Sequence, residues 1–261
     1  MGDVWESFGQ RWEAFQSVYV PHRELQFALM LEYVRTILDR EPGAVLDAGC
    51  GPGSLARAAL ATFDTVQVTG LDLDPFLIEL GERTMPSPRM RWVHADLRNP
   101  RWPDVLVPAC FDAVLTSTAS HWLEPDVLRR FYVGVRRLMS PGAVFANADI
   151  FPQGDSTSKI ARAAMETLFR WQSSESVRRG ETWATFWGSV EATPDFRPLV
   201  ERRRELLGNR PPRVFLRAAD HVVALRDAGF CDVQEVWRWH SAAVIVARAG
   251  QDPASCRPNQ G

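Results

Sequence analysis

Short apolar runs alternate with amphipathic helical patterns through the middle of the chain. The runs predict five strands, near residues 44–48, 66–72, 91–95, 111–116 and 143–149. Strands that alternate with helices are typical of a parallel sheet, because each helix returns the chain to the start of the next strand. Two further apolar runs, at 233–239 and 242–247, predict a terminal hairpin. The pattern therefore predicts an α/β fold with a doubly wound, mostly parallel sheet and a C-terminal antiparallel hairpin.

The segment before the first strand is helical in pattern. Residues 3–37 predict two helices that are interrupted near Pro21, where the missing amide hydrogen and fixed φ of proline disfavour a continuous helix. We therefore expect residues 1–40 to form an N-terminal helical cap, and residues 41–150 to form the core.

A long insertion separates the fifth strand from the last helix. Residues 151–217 are far more than an ordinary connection needs, and helical patterns near 160–171, 183–190 and 196–207 predict a helical lid. Asp220 resembles a helix cap and Gly229 a helix end, so residues 218–249 are expected to complete the core. The tail, 250–261, contains few apolar residues and is expected to be disordered.

The first strand ends in a glycine-rich turn. Residues 45–53 have the sequence VLDAGCGPG, with glycine at positions 49, 51 and 53. Glycine adopts positive φ without strain and lets the backbone approach a ligand closely. Such turns hold nucleoside cofactors, but they also occur as plain strand-to-helix turns and in nicotinamide and flavin sites.

Two carboxylates at later strand ends help to distinguish between these kinds of site. Asp72 follows the second apolar run about 20 residues beyond the glycines, where a ribose-binding acid is expected. Asp96 ends the third run and could accept a hydrogen bond from an adenine amino group. An acid at that place is foreign to the dinucleotide fingerprint, and the spacing up to Gly53 fits that fingerprint poorly. A nicotinamide oxidoreductase is therefore disfavoured.

These motifs, together with residues 111–116 (FDAVLT) and 138–145 (LMSPGAVF), resemble those of class I S-adenosylmethionine-dependent methyltransferases. The resemblance implies a Rossmann-like fold and S-adenosylmethionine as cofactor. It also implies a role for each motif residue. Asp47, Gly49, Gly51 and Gly53 would line the methionine end, Asp72 and Leu73 the ribose, Asp96 and Leu97 the adenine, and Thr116 and Ser117 the methionine amino group.

Composition limits the partners. The net charge is −2, with 30 basic and 32 acidic residues, so nothing attracts the chain globally to nucleic acid or anionic membranes. The four cysteines lack metal-ligand spacing, and we expect no metal. No secretory signal or membrane-spanning stretch is recognisable, which favours the cytoplasm. The single lysine among many arginines fits a GC-rich bacterial genome.

Catalytic residues are harder to assign, because methyl transfer can proceed by proximity alone. His121 is placed at the expected exit of the fourth strand, where a neutral imidazole could take a proton from the acceptor. It could equally cap or pack the following helix. Asp149, near the end of the fifth strand, could orient a substrate or act as a base, or simply be a surface carboxylate.

The substrate pocket is expected to draw on the cap and the lid. Tyr19 and Arg23 flank the helix break, and Arg23 could bind a carboxylate or remain solvated. Trp122, Trp183 and Trp187 could attract an apolar or cationic ligand, although most lid aromatics are expected to anchor the lid.

The sequence therefore favours a bacterial methyltransferase of specialised metabolism, acting on an oxygen, nitrogen or acidic carbon of a small molecule. At fold level the chain is also similar to trans-aconitate methyltransferases and to the tRNA wobble-uridine carboxymethyltransferase group. A non-methylating enzyme of the same fold, such as a cyclase, and a transferase acting on tRNA stay open as alternatives. The methyl acceptor and the oligomeric state are not encoded in a recognisable pattern.

Overall fold

The computed structural model describes residues 4–107, 110–154, 157–179, 181–208 and 210–251. Seven strands within these residues form one sheet. They are β1 (Ala44–Ala48), β2 (Gln67–Asp72), β3 (Met90–His94), β4 (Phe111–Ser117), β5 (Met139–Ile150), β6 (Phe230–Trp239) and β7 (Ala242–Ala249). Of the tail that was expected to be disordered, residues 252–261 lie outside the described residues.

The strand order is β3-β2-β1-β4-β5-β7-β6. The first five strands are parallel, with Val45 of β1 paired to Val68 of β2 and to Ala113 of β4. Strand β7 runs antiparallel to both β5 and β6, because β6 and β7 form a hairpin. The α/β class, the mostly parallel sheet and the antiparallel hairpin are confirmed.

Nine α-helices pack around this sheet in the described part of the chain. They are α1 (Val4–Tyr19), α2 (Arg23–Leu38), α3 (Ser54–Thr62), α4 (Pro75–Thr84), α5 (Pro125–Arg137), α6 (Lys159–Arg179), α7 (Trp183–Ala192), α8 (Arg197–Leu207) and α9 (Ala218–Asp227). The break between α1 and α2 occurs at Pro21, as predicted, and His22 beside it has a φ of 54°. The three helical patterns after β5 correspond to α6, α7 and α8.

The start of the last helix differs from the prediction. Asp220 is not the capping residue, since α9 begins at Ala218 and Arg217 precedes it. The Asp220 carboxylate instead accepts hydrogen bonds from the Arg217 backbone amide at 3.1 Å and from its guanidinium at 2.7 Å. An acid in the first turn can satisfy an amide at the helix start as well as a cap does, which is why sequence alone misplaced the boundary.

Each face of the sheet has its own apolar core. One core packs the sheet against α5 and α9 and includes Phe145, Tyr132 and Leu225. The other packs it against α2 and α3 and includes Met30 and Phe63. Both faces of the parallel strands are therefore covered, as a doubly wound sheet requires.

A third core lies away from the sheet, and seven of its eleven buried residues are aromatic. It joins α1, α4, α7 and the turn before α8. Its buried rings are Phe8, Trp12, Phe15, Phe76, Phe186, Trp187 and Phe196. Ring centroids are 5.8 Å apart for Phe15 and Phe186 and 5.1 Å for Phe76 and Phe196. The N-terminal helix and the segment after β5 are thus held together mainly by burial of aromatic area.

Candidate active site

A cavity of about 390 Å³ lies at the carboxyl ends of the strands. The chain runs from β1 outward to β2 and β3 on one side, then returns to β4 and β5 on the other. The switch point between β1 and β4 leaves a crevice at this edge, which is where ligands bind in doubly wound sheets. Helices α1, α2, α6 and α7 and the side chains of Arg203, Arg210 and Arg213 form the remaining walls.

The glycine turn after β1 forms the floor of the cavity. Gly49 and Gly51 have φ values of 76° and 54°, which only glycine adopts readily. A Cβ on Gly49 would lie 2.5 Å from that of Ala119. The turn is held to β2, because the Gly49 amide donates to the Leu71 carbonyl at 2.7 Å. Bare backbone is therefore presented to whatever occupies the cavity.

Gly53 does not line the cavity, contrary to the expectation. It precedes α3 with a φ of 83°, and a Cβ there would lie 2.6 Å from the Trp92 ring. Glycine at this position lets α3 and β3 pack closely. Thr116 also lies outside the cavity lining, because strand alternation turns it to the face that carries Val114. Its buried hydroxyl has no partner within the described residues.

Asp72 has the environment of a ribose-binding acid. One of its oxygens accepts from the Asp74 amide and the other from the Gly51 amide, both at 2.8 Å. These bonds orient the carboxylate and leave lone pairs on both oxygens for two hydroxyl donors. Leu73 follows it along the cavity wall. The position fits the ribose of a nucleoside cofactor.

Asp96 and Leu97 lie in the wall beyond β3. The Arg98 guanidinium binds both oxygens of Asp96 at 2.8 to 3.1 Å, and the Arg98 amide donates as well. Burial tends to raise the pKa of Asp96, but these hydrogen bonds outweigh it and hold the pKa below its ordinary value. Asp96 is therefore an ionised acceptor, as contact with an adenine amino group requires, and Leu97 supplies apolar surface beside it.

The opposite end of the cavity has a buried acid and an ion pair. Asp47 accepts from the Ala56 amide at 3.0 Å, and burial raises its pKa to about 7. Arg23 is paired with Glu13 at 2.7 Å, and Glu13 also accepts from the Ser54 hydroxyl at 2.6 Å. This arrangement ties α1, α2 and α3 together. Arg23 is thus neither solvated nor free, and a bound carboxylate would compete with Glu13 for it.

His121 and Asp149 form a buried pair in the cavity wall. His121 Nδ1 is 2.7 Å from Asp149 Oδ1, and Asp149 Oδ2 accepts from the Ser120 hydroxyl at 2.6 Å and from the His121 amide at 3.1 Å. Burial tends to raise the pKa of Asp149, but its interactions with His121 and Ser120 lower it overall. An ionised Asp149 accepts a hydrogen bond from the Nδ1–H group, which leaves Nε2 as the nitrogen of the ring that can take up a proton.

The turn that presents this histidine is strained. Thr118, a β-branched residue in the cavity lining, has a φ of 55°. Such a conformation costs about 1–3 kcal/mol and persists only where the surroundings enforce it. Here the Thr118 amide donates to the Ala148 carbonyl at 2.9 Å and fixes the turn to β5. No residue pattern in the sequence predicts a strained turn at this position.

A chain of buried polar groups continues behind the pair. Asn147 lies two residues before Asp149 on β5, and its amide donates to the Ser120 hydroxyl at 3.1 Å. On the same face, the Tyr132 hydroxyl of α5 is 2.6 Å from His221 Nδ1 of α9. Burial lowers the pKa of His221 to about 4, so the ring is neutral and its Nδ1 accepts a hydrogen bond from the Tyr132 hydroxyl. None of these supporting groups was singled out from the sequence.

Aromatic and basic side chains form the outer wall. Tyr19, Trp122, Trp183 and Trp187 all line the cavity, as expected. The ring of Trp187 is largely buried in the aromatic core, so it acts mainly as an anchor. Arg203 of α8 also lines the cavity. Arg210 and Arg213 were missed, although their position on either side of Pro211-Pro212 was a usable signal.

The described residues thus fit S-adenosylmethionine without a metal. They provide an oriented acid for the ribose, an ionised acceptor for the adenine and exposed backbone at the glycine turn. Among these residues no group of His, Cys, Asp and Glu is placed to hold a metal ion. A search of the same residues found no helix with the length and apolarity needed to cross a bilayer.

A doubly wound sheet with this glycine turn and these acids at its switch point defines a nucleoside-binding α/β domain of the Rossmann-like class. Residues 45–142 match the family model described as a methyltransferase domain. This part of the chain therefore matches a methyltransferase domain, as the resemblance to class I S-adenosylmethionine-dependent methyltransferases implied. The recognition and the cofactor expected from the sequence are confirmed, whereas the roles of individual residues remain proposals.

Two curated relatives illustrate the similarity. The chain is 31% identical over 153 residues to the phthiotriol/phenolphthiotriol dimycocerosates methyltransferase of Mycobacterium tuberculosis (strain ATCC 25618 / H37Rv), covering 57% of this chain and 54% of the relative. It is 33% identical over 147 residues to the malonyl-[acyl-carrier protein] O-methyltransferase of Halorhodospira halophila (strain DSM 244 / SL1), covering 54% and 46%. The chain thus spans about half the length of the curated relatives it matches.

A solved structure shows the same fold over more of the chain. The S-adenosylmethionine-dependent methyltransferase SibL in its apo form matches with a TM-score of 0.56 and 20% identity, over 87% of this chain and 55% of that one. At this identity the match bears on the fold alone. It extends the shared architecture beyond the matched domain, into helices on both sides of it.

Proposed function

We propose that the chain is an S-adenosylmethionine-dependent methyltransferase that transfers a methyl group to an oxygen, nitrogen or acidic carbon of a small molecule. S-adenosylmethionine, when bound, supplies an electrophilic methyl group on a sulfonium. The observation that carries the proposal is the His121–Asp149 pair, which lines the same cavity as the glycine turn and the ribose-binding acid. The names of the relatives, which are methyltransferases, support it.

The roles of the residues follow from the site geometry. Asp149 keeps the Nδ1 proton of His121 in place, so that Nε2 is ready to take the proton of the acceptor as the new bond forms. The aromatic side chains in the walls limit the access of water, which favours in-line displacement at short distance. Asp72 would orient the ribose, and Asp47 with Ser117 would hold the methionine end.

Composition and the known relatives bear on origin, location and substrate class. A bacterial origin is in keeping with the bacterial relatives, and a place in specialised metabolism stays a prediction from the sequence. The nearly balanced charge argues against nucleic acid as substrate. Cys50, Cys110 and Cys231 are free thiols, in keeping with a cytoplasmic location.

Calorimetric titration with S-adenosylmethionine and S-adenosylhomocysteine tests the foundation of this proposal. We expect both to bind the wild-type protein, and Asp72→Ala to weaken binding about tenfold or more, because two hydroxyl acceptors are lost. Asp64→Ala, a change at an exposed acid outside the cavity lining, is the matched control and should bind like wild type.

Product analysis then separates the remaining readings. Incubation with S-adenosylmethionine and an acceptor library should give methylated product together with S-adenosylhomocysteine. Conversion of an acceptor without S-adenosylhomocysteine would instead support a cyclase or a similar non-methylating enzyme. Failure of the wild-type protein to bind either nucleoside would refute the proposal altogether.

A further inference from the structure

Five arginines line the cavity, and only some of them have an acidic partner. Three form ion pairs, namely Arg23 with Glu13 at 2.7 Å, Arg98 with Asp96 at 2.8 Å and Arg203 with Asp74 at 2.6 Å. The other two are Arg210 and Arg213. Neither forms an ion pair or a side-chain hydrogen bond with any residue in the part of the chain that the structure describes.

The two unpaired guanidinium groups meet at one aromatic ring. The guanidinium carbon of Arg210 is 4.2 Å from the centre of the Trp122 ring, and that of Arg213 is 5.9 Å from the same centre. Trp122 directly follows His121. Both charges therefore gather at the wall of the cavity that carries the proposed base.

Two contacts fix the position of the segment that carries Arg213 relative to His121. The Val214 amide donates to the His121 carbonyl at 2.8 Å, and the Phe215 ring is 5.6 Å from the His121 ring. Arg213 is thus held one residue away from a direct hydrogen bond to His121. A group bound by Arg213 and a nucleophile served by His121 can belong to one small molecule.

Nearby acids do not fully neutralise the positive charges at this wall. Arg210 is partly buried, which lowers its pKa, and the nearby charges of Arg203 and Arg98 act in the same direction. Asp72 and Asp74 attract it, but Asp74 is already paired with Arg203, and Asp72 accepts two backbone amides. Burying a cation without a direct counter-ion is costly, and the sulfonium of the cofactor adds further positive charge to the same cavity.

We propose that Arg210 and Arg213 form an anion subsite, and that the methyl acceptor carries a carboxylate or a phosphate bound there. Both anions present oxygens that match the planar fork of a guanidinium. The subsite would orient the acceptor so that its nucleophilic atom faces His121. This inference rests on the proposed function and deepens it, because it restricts the substrate to acids.

Binding of small anions tests the subsite without knowledge of the true acceptor. The protein is saturated with S-adenosylhomocysteine, and binding is followed by saturation-transfer NMR and by calorimetry. The probes are matched pairs, benzoate with benzamide and phenyl phosphate with benzyl alcohol, together with acetate and inorganic phosphate. The first pair reports on carboxylate binding and the second on phosphate binding.

We expect at least one anion to bind more tightly than its neutral partner, by about tenfold. Arg210→Gln with Arg213→Gln should abolish this preference, whereas Arg210→Lys with Arg213→Lys should retain part of it. The matched control is Arg202→Gln, because Arg202 is exposed, is paired with Glu205 and does not line the cavity. Anion affinity in this control should equal that of wild type.

Two results would overturn the subsite. One is a wild-type protein that shows no preference for any anion. The other is a preference that survives the double Gln variant. Binding of S-adenosylhomocysteine and methyl transfer are measured separately, so that anion binding without methyl transfer would refute only the proposed function. Methylation of neutral acceptors without any anion preference would refute only the subsite.

Discussion

At the scale of single residues, Asp149 determines how His121 can act. Its four hydrogen bonds come from Ser120, His121 and Ile150, two to each oxygen. A carboxylate bound in this way cannot rotate, so the imidazole that it holds keeps one orientation and one tautomer. The alternative reading of His121, as a packing residue, makes a different prediction about its replacement.

We therefore predict that His121→Asn lowers kcat by about 10²–10⁴-fold, the usual contribution of general-base catalysis. Affinity for S-adenosylhomocysteine, measured by calorimetry, should stay within about twofold, because the cofactor residues are untouched. His240→Asn is the control, since His240 lies in the hairpin turn outside the cavity lining. A His121→Asn variant with near wild-type kcat would show that this histidine only packs.

At the scale of elements, the turn between β1 and α3 depends on backbone conformation and close packing. Gly49 combines a positive φ with a short approach to Ala119, and Gly53 does the same towards Trp92. Side chains at these positions would strain the backbone and collide with Ala119, in the turn that carries His121, and with Trp92 of β3. The glycine turn is thus a structural requirement as well as a ligand surface.

Replacement of two glycines by alanine separates these effects. Gly49→Ala should lower the free energy of unfolding by about 1–3 kcal/mol and weaken S-adenosylhomocysteine binding, because φ is positive and the new methyl group collides with Ala119. Gly188→Ala is the matched control within α7, where nothing lies within 4 Å of the added Cβ. There we expect a gain of about 0.5–1 kcal/mol. Urea denaturation measures both, and equal effects would contradict this account.

At the scale of the whole molecule, stability should depend on pH through buried groups on both faces of the sheet. The pKa of His221 falls to about 4 in the folded protein, below its ordinary value of about 6.5. Between these values the unfolded chain binds more protons, so stability falls as the pH drops from 6.5 to 4. Asp47 has the opposite effect, because its pKa is raised to about 7 and its protonation favours the fold at low pH.

Because the two groups oppose each other, we predict the outcome as a difference between variants. The wild-type protein should lose up to about 3 kcal/mol through His221 between pH 7 and pH 4, and His221→Leu should remove this component. The variant should also be less stable at neutral pH, since Tyr132 loses its acceptor. Urea denaturation at several pH values measures the slope, with His240→Asn as control. An unchanged slope in His221→Leu would mean that His221 does not titrate in this way.

The sequence by itself determined the elements, their order and the cofactor class. Periodic apolar runs report the burial of strands and helices, and glycines and acids at strand ends report a nucleoside site, since both are local consequences of chain geometry. Only the tertiary structure decided which side chains meet. It placed Thr116 and Gly53 outside the cavity, paired Arg23 with Glu13, and left Arg210 and Arg213 beside His121 without an acidic partner. Such pairings join positions far apart in the sequence, 89 residues for Tyr132 and His221 and 129 for Arg203 and Asp74, which no local pattern encodes.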